Sequence, residues 1–462
     1  MIHFLDDGSL LNIFHLYRPF FLGEDEDDFN RLYGGREPWD WGCWWYRLTH
    51  VCQRWRNLIL ASASYLRLSL VCTNGTPVES MLAYSPPLPL TVDYGSEHGI
   101  TAEDETGILL ALGQRHRVRH LRLALPVQNL QGLVMAIDEE FPILEYLIVY
   151  PTKISTVLML RETLQAPHLC HLMLGAFARP IRSHLHPTAE SLTSLFLIIN
   201  HQSAYFQPNV LRQWISFMPQ LECLAITFTF RIPDHMEMQL IHTPMTTHIT
   251  LPNLRLFWFQ GVSAYLEAVI CRITAPRLET LKIRLFKQLT FSVPHLVQFM
   301  NTTENLRFDN AEIKFKVKKI DVGMLSREAD AYTFFITIDC SQLNLQVSSV
   351  AQISNALSQM LSPVEQLTLE REVHGWSSEQ HTHVDRIEWR NLLRSFSNVK
   401  TLGVGDGLVG ELSHGLRLDD GELPLEVLPE LQELIQYILE DVMLLVMHSP
   451  HLSMPGRVQA TL

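Results

Sequence analysis

The residues of this chain whose spacing comes nearest to a chemical motif form a glycine cluster near the carboxyl end. It reads Gly-Asp-Gly-Leu-Val-Gly over residues 405–410 and follows the strand-like segment 401–404. Glycines at this spacing let a backbone turn approach a pyrophosphate, and an acid about twenty residues later, here Glu430, would bind a ribose hydroxyl. Too little chain follows Gly410 to complete a doubly wound dinucleotide-binding sheet. We therefore interpret the cluster as a glycine-rich loop and expect no cofactor.

A second set of chemically capable residues is His381, His383 and Asp385, which alternate in a polar stretch. Structural zinc sites use four ligands and catalytic sites use three on rigid elements. No further ligand stands at a fixed spacing, so we expect an exposed loop and no metal. Cys52 lies beside Trp55 and is predicted to be a small buried group rather than a nucleophile. Serine-hydrolase, zinc-protease and Walker motifs are missing, so we expect a protein without enzymatic activity.

A basic segment is formed by Lys314, Lys316 and Lys318, which alternate with Phe315 and Val317. This alternation predicts a strand with one basic face and one apolar face. We interpret it as a solvated sheet edge, since charged side chains commonly protect such edges. Contact with an acidic partner is the alternative.

A repeated sequence element begins at residue 118 and would form the scaffold on which these residues are positioned. Its phrase Leu-x-x-Leu-x-Leu starts at Val118, Leu144, Leu169, Leu192, Leu221, Leu254 and Leu278, with fainter copies at Val364, Val399 and Leu431. The first seven starts are 23 to 33 residues apart, the range of leucine-rich repeats. Helical stripes such as residues 130–137 and 389–396 lie between the phrases. One strand-and-helix unit cannot bury its apolar face alone, but a stack of units can.

The repeat series predicts an α/β fold: an irregular leucine-rich-repeat-like solenoid with parallel strands and with helices on the convex side. Residues 306–364 leave room for two repeats, with a strand at 334–338 between them. The asparagine that ends regular leucine-rich phrases is interpreted as missing. The insertion at residues 231–249 is expected to leave the sheet as a loop.

The variable strand positions of the phrases would face a concave wall. These positions hold Arg122, Ile148, Met173, Phe196, Trp258, Lys282 and Thr368, with Arg255, Glu279 and Arg284 adjacent. Aromatic and arginine side chains on a rigid surface suit protein recognition. The predicted substrate-binding residues are therefore Arg122, Arg255, Trp258, Lys282 and Arg284. The alternative is that most of the wall faces water.

Two amphipathic helical stripes precede the repeats. The first contains Leu10, Leu11 and Phe14, and the second contains Leu48, Val51, Cys52, Trp55 and Leu58 at helical spacing. Helices this short must bury their stripes to be stable. They can pack on each other and on the next domain, or leave part of the surface for a partner helix.

The segments that carry these stripes, residues 2–14 and 44–56, resemble the two halves of an F-box. Leu5, Leu10, Leu11, Ile13 and Phe14 match the first half, and Val51, Cys52, Trp55 and Arg56 match the second. The similarity extends to F-box-like proteins expanded in fungi. It implies docking onto a Skp-type adaptor, and through it a cullin, by Leu5, Leu10, Leu11, Ile13, Phe14, Leu48, Val51, Cys52, Trp55 and Leu58.

The chain departs from the F-box pattern at three places. Asp6 replaces the usual proline, and Gly8 stands where a helix-forming residue is expected. The halves are separated by an insert at residues 15–43, which leaves open whether the adaptor can dock. The insert contains the acidic run 24–28 and the tryptophans Trp39 and Trp41, which either pack or form an exposed interface. Trp44 and Trp45 are expected to anchor the second helix.

These patterns divide the chain into an F-box-like module at 1–66, a connector and solenoid cap at 67–117, the solenoid at 118–445 and a tail at 446–462. In the connector, residues 67–71 and 88–92 are predicted strands. Thr101 and Asp104 predict a capping box that opens a helix extending to Leu112.

Composition sets limits on function. Hydrophobic residues make up 47% and charged residues 18% of the chain, which indicates a folded protein. A net charge of −13 argues against nucleic-acid binding. Seven scattered cysteines without a Cys-x-x-Cys pair, and no recognisable signal peptide or membrane span, favour the cytoplasm or nucleus. The sequence predicts a substrate receptor of a Skp–cullin–F-box ubiquitin ligase; the alternative is a non-catalytic scaffold whose F-box-like fold is not used in ubiquitination.

Overall fold

The computed structural model of this protein divides into two compact units, Met1–Phe206 and Gln207–Leu462. It describes residues 5–17, 44–137, 139–153, 165–176, 190–202, 205–230, 248–286, 291–303, 305–326, 332–372, 384, 386–417, 427–437 and 457–460.

The first unit opens with three short helices, α1 (Asp7–Tyr17), α2 (Trp44–Thr49) and α3 (Gln53–Ala61). The Asp6 carboxylate accepts the backbone N–H of Ser9 at 2.8 Å and its hydroxyl at 3.0 Å. Asp6 therefore caps α1, so the residue that departs from the F-box pattern starts the helix by another route.

The second amphipathic stripe is divided between α2 and α3 rather than carried by one helix. Residues 50–52 form a turn, and Cys52 has an extended backbone with φ −160° and ψ 167°. The Thr49 hydroxyl donates to the Tyr46 carbonyl at 2.7 Å, and Arg56 Nε donates to the Thr49 carbonyl at 3.1 Å. These side chains satisfy backbone groups at the break, which helical periodicity alone does not reveal.

A parallel sheet forms the rest of the first unit among the described residues. Its strands, in spatial and chain order, are β1 (Leu70–Cys72), β2 (Leu90–Gly95), β3 (Val118–Leu125), β4 (Tyr146–Pro151), β5 (His171–Gly175) and β6 (Ser194–Ile199). The helices α4 (Val78–Tyr84), α5 (Ala102–Gly113) and α6 (Val127–Ile137) lie between strands in the chain. The repeat leucines align in register as Leu121, Leu147, Leu172 and Leu195, and all are buried.

The connector contributes its strands to this same sheet, because β1 pairs in parallel with β2 and β2 with β3. The predicted capping box is confirmed: Asp104 N–H donates to the Thr101 hydroxyl at 3.1 Å, and α5 follows. Asp104 also accepts the Gly75 N–H at 2.7 Å, which ties the helix to the turn after β1. The domain boundaries drawn from the sequence stay predictions.

The second unit repeats the strand-and-helix plan with more variation. Its helices are α7 (Pro208–Ile215), α8 (Ser263–Ile270), α9 (Pro294–Asn301), α10 (Leu343–Ala356), α11 (Ser358–Leu361), α12 (Arg386–Arg394) and α13 (Asp406–Leu416). Its strands are β7 (Cys223–Phe228), β8 (Ile249–Thr250), β9 (Leu256–Gly261), β10 (Ile273–Thr274), β11 (Thr280–Leu285), β12 (Asn310–Lys316), β13 (Lys319–Leu325), β14 (Phe334–Asp339), β15 (Gln366–Arg371), β16 (Thr401–Gly405), β17 (Glu433–Tyr437) and β18 (Arg457–Ala460).

The main sheet of this unit has the order β7-β9-β11-β14-β13-β12-β15-β16-β17-β18. Strands β8 and β10 form a separate parallel pair. Most of the predicted insertion at 231–249 lies outside the described residues, but its last residue, Ile249, begins β8 instead of ending a loop.

The prediction of parallel strands throughout is wrong in two places. Strand β13 pairs antiparallel with both β12 and β14, and β18 pairs antiparallel with β17. Residues 306–364 therefore contain a reversed strand rather than two further repeats. The strand predicted at 334–338 is confirmed as β14, and it pairs in parallel with β11.

The lysine-bearing strand β12 lies inside the sheet, not at its edge. It pairs with β13 on one side and with β15 on the other. The prediction of a solvated edge is therefore wrong, and Lys314 and Lys316 project from an interior strand.

The leucine-rich asparagine is present in one phrase, contrary to expectation. Asn200 follows Leu192, Leu195 and Leu197 at the expected spacing and is 7% exposed. Within the described residues no helix has the length and apolarity needed to cross a membrane.

Candidate functional site

The N-terminal helices α1–α3 form a packed module whose two halves meet through aromatic side chains. The rings of Phe14 and Trp55 meet edge to face with centroids 4.9 Å apart. Leu10 and Phe14 are each 1% exposed. Arg54 Nη2 lies 2.7 Å from the Asp7 carboxylate and joins α3 to the start of α1. One side of each helix is thus sealed within the chain.

The module also has large apolar side chains that are exposed. Ile13 is 47% exposed, Leu16 69%, Tyr17 59%, Tyr46 56% and Val51 59%. We call these five residues the outward apolar set. Scattered exposed apolar residues are ordinary, but four on α1 and α2 and a fifth in the turn after α2 make this module a candidate interaction surface.

The predicted adaptor-binding residues divide by exposure. Ile13 and Val51 are exposed, Leu10 and Phe14 are buried, and the half-buried members are Leu5, Leu11, Leu48, Cys52, Trp55 and Leu58. A partner cannot contact Leu10 and Phe14 without opening the module, so these two residues support the surface from beneath.

Sequence reasoning missed Leu16 and Tyr17, which follow the F-box-like segment. Leu16 lies three residues after Ile13, a helical spacing that could have indicated it. Trp44 and Trp45 are buried as expected, and Trp45 Nε1 donates to the Ser69 carbonyl at 3.2 Å. Trp39, Trp41 and the acidic run at 24–28 lie outside the described residues.

The predicted wall residues of the first unit are register partners across β3 to β6: Arg122, Ile148, Met173 and Phe196. Met173 is 2% exposed and offers little to a ligand. Arg122 Nη1 lies 2.8 Å from the Asp93 carboxylate, and Nη2 lies 3.4 Å from the Tyr150 hydroxyl. Burial alone would lower the pKa of Arg122, but the Asp93 carboxylate and the Tyr150 hydroxyl together outweigh it and the pKa is raised.

In the second unit the corresponding row includes Trp258, Lys282 and Phe335 on β9, β11 and β14. Lys282 Nζ lies 5.8 Å from the centroid of the Trp258 ring, a cation–π contact. The Tyr332 ring covers Gly323 in the next strand and lies 5.4 Å from the Phe335 ring. A side chain at Gly323 would displace this aromatic ring from the wall.

The other predicted substrate-binding arginines are already paired inside the chain. Arg255 Nη2 lies 2.9 Å from Glu279 Oε2, and Arg284 Nη2 lies 3.2 Å from Asp339 Oδ1. A substrate carboxylate at either position would compete with an acid that the sheet supplies.

The reversed strand β13 brings a buried acid beneath the lysines. The Asp321 side chain is 6% exposed and lies 2.8 Å from Lys316 Nζ and 3.4 Å from Lys319 Nζ. It also accepts the Thr337 hydroxyl at 2.7 Å. Burial alone would raise the pKa of Asp321, but the two lysines and Thr337 outweigh it and hold the pKa below its ordinary value. Lys314 pairs in turn with Glu312 at 2.8 Å, so the basic strand is largely neutralised by its own sheet.

The glycine cluster does not form the predicted loop. Gly405 ends β16, while Gly407 and Gly410 lie within α13, which starts at the next residue. Strands β15, β16 and β17 are neighbours in both chain and sheet, so this position is not a switch point of the kind that binds dinucleotides. Asp406 in the first turn accepts Gln436 Nε2 at 2.7 Å.

The predicted metal-ligand candidates His381, His383 and Asp385 lie outside the described residues. Among the residues that are described, no three His, Cys, Asp or Glu side chains are grouped closely enough to hold a metal ion. Cys52 is half-buried at the turn before α3.

Comparison with known proteins adds little to this geometry. No protein-family model matches the chain, and no curated protein sequence matches it significantly. A solved structure, the leucine-rich repeat-containing protein LegL7 from Legionella pneumophila, is similar with a TM-score of 0.29 and 13% identity, covering 80% of this chain and 91% of that chain. At so low a TM-score, the assignment of a strand-and-helix repeat fold depends on the strand pairing described above.

Proposed function

We propose that this chain is the substrate-recognition subunit of a Skp–cullin–F-box ubiquitin ligase. The N-terminal module would dock a Skp-type adaptor, and the sheet surfaces that follow would hold a protein substrate. The chain would need no cofactor, metal, nucleic acid or membrane, and would act in the cytoplasm or nucleus. The alternative is a protein-interaction scaffold with an F-box-like module that takes no part in ubiquitination.

The observation that supports docking is the outward apolar set on a module whose helices are packed against each other. Phe14 and Trp55 fix the helices against each other, so the exposed residues are presented on a preformed surface. Preformed apolar surfaces bind amphipathic partner helices with a small ordering cost. Ile13 and Val51 belong both to the outward apolar set and to the F-box-like segments.

The proposed mechanism is proximity. A receptor that holds a substrate and an adaptor at once raises the effective concentration of the substrate near the transferring enzyme. This chain would form and break no covalent bond. Its contribution would be the geometry between the docking module and the sheet surface that carries the substrate.

Co-purification of the full chain with a Skp-type adaptor tests the proposal. Ile13→Asp and Val51→Asp place a charge on the outward apolar set and should weaken capture of the adaptor by at least about tenfold. Leu109→Asp is the matched control, since Leu109 is 45% exposed on α5 and outside the module. If neither module variant reduces capture, or if the folded wild-type chain captures no adaptor, the receptor proposal fails and the scaffold alternative is favoured.

A further inference from the structure

A ladder of three rings lies on the wall face of the first unit, where its strands begin. His120, Tyr146 and His171 are register partners on β3, β4 and β5. The centroids of His120 and Tyr146 are 4.5 Å apart in an edge-to-face contact. Those of Tyr146 and His171 are 4.2 Å apart with planes 11° from parallel. We call these three residues the ring ladder; each ring is half-buried and leaves part of its surface to solvent.

One carboxylate beside the ring ladder interacts with three basic side chains. Glu145 Oε1 lies 3.4 Å from Arg119 Nε, and Oε2 lies 3.9 Å from His120 Nε2. The polar contact with His120 lowers the pKa of Glu145 against the opposing effect of burial, and the charges of Arg119 and Arg67 lower it further. Two chain segments, one with Arg119 and His120 and one with Arg67, therefore place basic side chains near a single acid.

Arg67 is held in a conformation that few non-glycine residues adopt. Its φ is +48°, and its N–H donates to the Ser64 carbonyl at 3.1 Å in the turn before β1. A left-handed backbone at a non-glycine residue costs free energy, and such strain is concentrated at functional positions. The side chain of Arg67 is exposed and lies within electrostatic range of Glu145.

Arg119 is held only loosely by this carboxylate. Its Nε is buried, lies 3.4 Å from Glu145 Oε1 and makes no well-formed hydrogen bond within the described residues, while the side chain as a whole is 26% exposed. The guanidinium can therefore exchange Glu145 for an anion that another molecule supplies.

The local charge is opposite to that of the whole chain, whose net charge is −13. Residues 115–120 read Arg-His-Arg-Val-Arg-His. Arg115 pairs with Glu139 at 2.9 Å, while Arg117 donates to the carbonyls of Leu88 and Pro86. A positive corner on an acidic protein attracts anionic groups selectively.

We propose that this corner of the first unit binds a peptide segment through an anionic side chain, with a neighbouring side chain of the peptide packed on the ring ladder. Arg67 and Arg119 would donate to the anion, and Glu145 would be the internal anion that the ligand displaces. The shared ligand chemistry is a carboxylate or a phosphate. The inference rests on the proposed receptor role only in taking the peptide to be part of a substrate.

Peptide binding to the full chain without adaptor tests the inference. The probes are fluorescein-labelled peptides of neutral residues with a central tyrosine followed by glutamate, phosphoserine or serine, and fluorescence anisotropy measures binding. The glutamate or the phosphoserine peptide should bind about tenfold more tightly than the serine peptide, the usual advantage of a charge-assisted hydrogen bond. The tighter of the two identifies the source of the anion. Equal binding of all three peptides, or none, overturns the inference.

Three substitutions locate the site. Arg67→Ala should weaken binding of the anionic peptide about tenfold, while Glu145→Gln should strengthen it severalfold because the internal competitor is lost. Arg277→Ala is the control, since it removes an exposed arginine of the second unit that is not among the predicted substrate-binding residues and should leave affinity unchanged. Circular dichroism confirms that each variant is folded. An unchanged affinity in both first-unit variants, or displacement of the peptide by a single-stranded RNA oligomer, would overturn the assignment.

This test separates the inference from the receptor proposal. Peptide binding that depends on Arg67, in a chain that captures no adaptor, supports the site and removes the ligase role. Adaptor capture with no discrimination between the peptides does the reverse.

Discussion

In the first unit every described pair of neighbouring strands is parallel, whereas in the second unit β13 runs against both of its neighbours. In the first unit a helix or a long connection links each strand to the next parallel strand. In the second unit the chain reverses direction between β12 and β13, where Lys316 and Lys319 are register partners across a two-residue turn. A strand-and-helix repeat can therefore accept an inserted hairpin without losing its sheet, provided that the inserted strands restore the original direction.

The two units also differ in how their wall faces are filled. The first unit presents the ring ladder together with the arginine pairs Arg119–Glu145 and Arg122–Asp93, and the second adds lysine pairs with Glu312 and Asp321. Asp321 lies on the reversed strand and draws Lys316 and Lys319 toward it. The inserted hairpin thus changes the chemistry of the wall as well as the strand direction.

The largest expected effect is a loss of stability in the core of one unit that leaves the other unit unchanged. Phe315 on β12 is fully buried, with its ring 5.7 Å from that of Trp389 on α12. Phe315→Ala should lower the unfolding free energy of the second unit by about 4 kcal/mol, through lost burial and a cavity. Calorimetry should show a lower transition for that unit alone. Leu123→Ala, in the core of the first unit, is the control and should move the other transition; a common shift in both variants would show that the units unfold as one.

A smaller effect concerns pH in the second unit. Burial raises the pKa of Glu267 to about 7, although the carboxylate accepts the N–H groups of His295 at 2.7 Å and Leu296 at 2.9 Å at the start of α9. This folded-state pKa lies above the ordinary value of 4.5. The contribution of the protonated Glu267 carboxyl to the unfolding free energy is therefore complete below about pH 4.5 and is lost as pH rises through about 7. The unfolding free energy of the second unit, measured with urea, should fall by about 2 to 3 kcal/mol between about pH 5 and pH 8.

Glu267→Gln should flatten this pH dependence, because an amide stays neutral and still accepts a hydrogen bond. Glu279→Gln provides the comparison, since Glu279 is exposed beside Arg255. A profile that is equally steep in Glu267→Gln would assign the pH dependence to other groups.

A third prediction tests what holds the inserted hairpin. Gln346 on α10 is fully buried, and its Nε2 donates to the carbonyls of Lys316 at 2.7 Å and Cys340 at 2.6 Å. Gln346→Ala leaves these buried acceptors without a donor and should cost about 2 kcal/mol. Hydrogen exchange should show faster opening of β12 and β13 than of β15. Gln359→Ala, an exposed position on α11, should change neither; equal protection of all three strands in Gln346→Ala would contradict the assigned role.

The smallest expected effect belongs to the exposed ion pair on the wall of the second unit. Arg255 and Glu279 side chains are 59% and 49% exposed. Solvent screens such pairs, so Arg255→Ala should change the unfolding free energy by less than about 1 kcal/mol. A loss of several kcal/mol in urea unfolding would mean that Arg255 has a structural role beyond this pair.

Local patterns in the sequence predicted much of the fold. The leucine phrases located β3 to β7, and the Thr101–Asp104 capping box located α5. The hairpin of β12 and β13 was not predicted, because the length of residues 306–364 was interpreted as two repeats. Their alternation of polar and apolar residues on both sides of Val317–Lys318 is typical of a hairpin and was a usable signal.

The wall was harder to predict because its chemistry depends on partners distant in sequence. Arg284 pairs with Asp339, 55 residues later, and Arg122 pairs with Asp93, 29 residues earlier. Spacing showed which residues share a face but not which charges cancel there. The ring ladder was missed for a related reason: His120, Tyr146 and His171 are unremarkable singly and gain meaning only through strand register.

The order of strands around the hairpin limits how this protein can change length. Strand β12 follows β11 in the chain but lies three positions away from it in the sheet. Strands β13 and β14 then occupy the two positions between them in reverse order. Losing β12 alone would leave β13 beside β15 in the opposite direction, whereas losing both β12 and β13 would leave β14 beside β15 in the same direction. Elsewhere a single strand and its helix could be gained or lost in evolution or by engineering, but here the exchangeable block is the two-strand hairpin of β12 and β13.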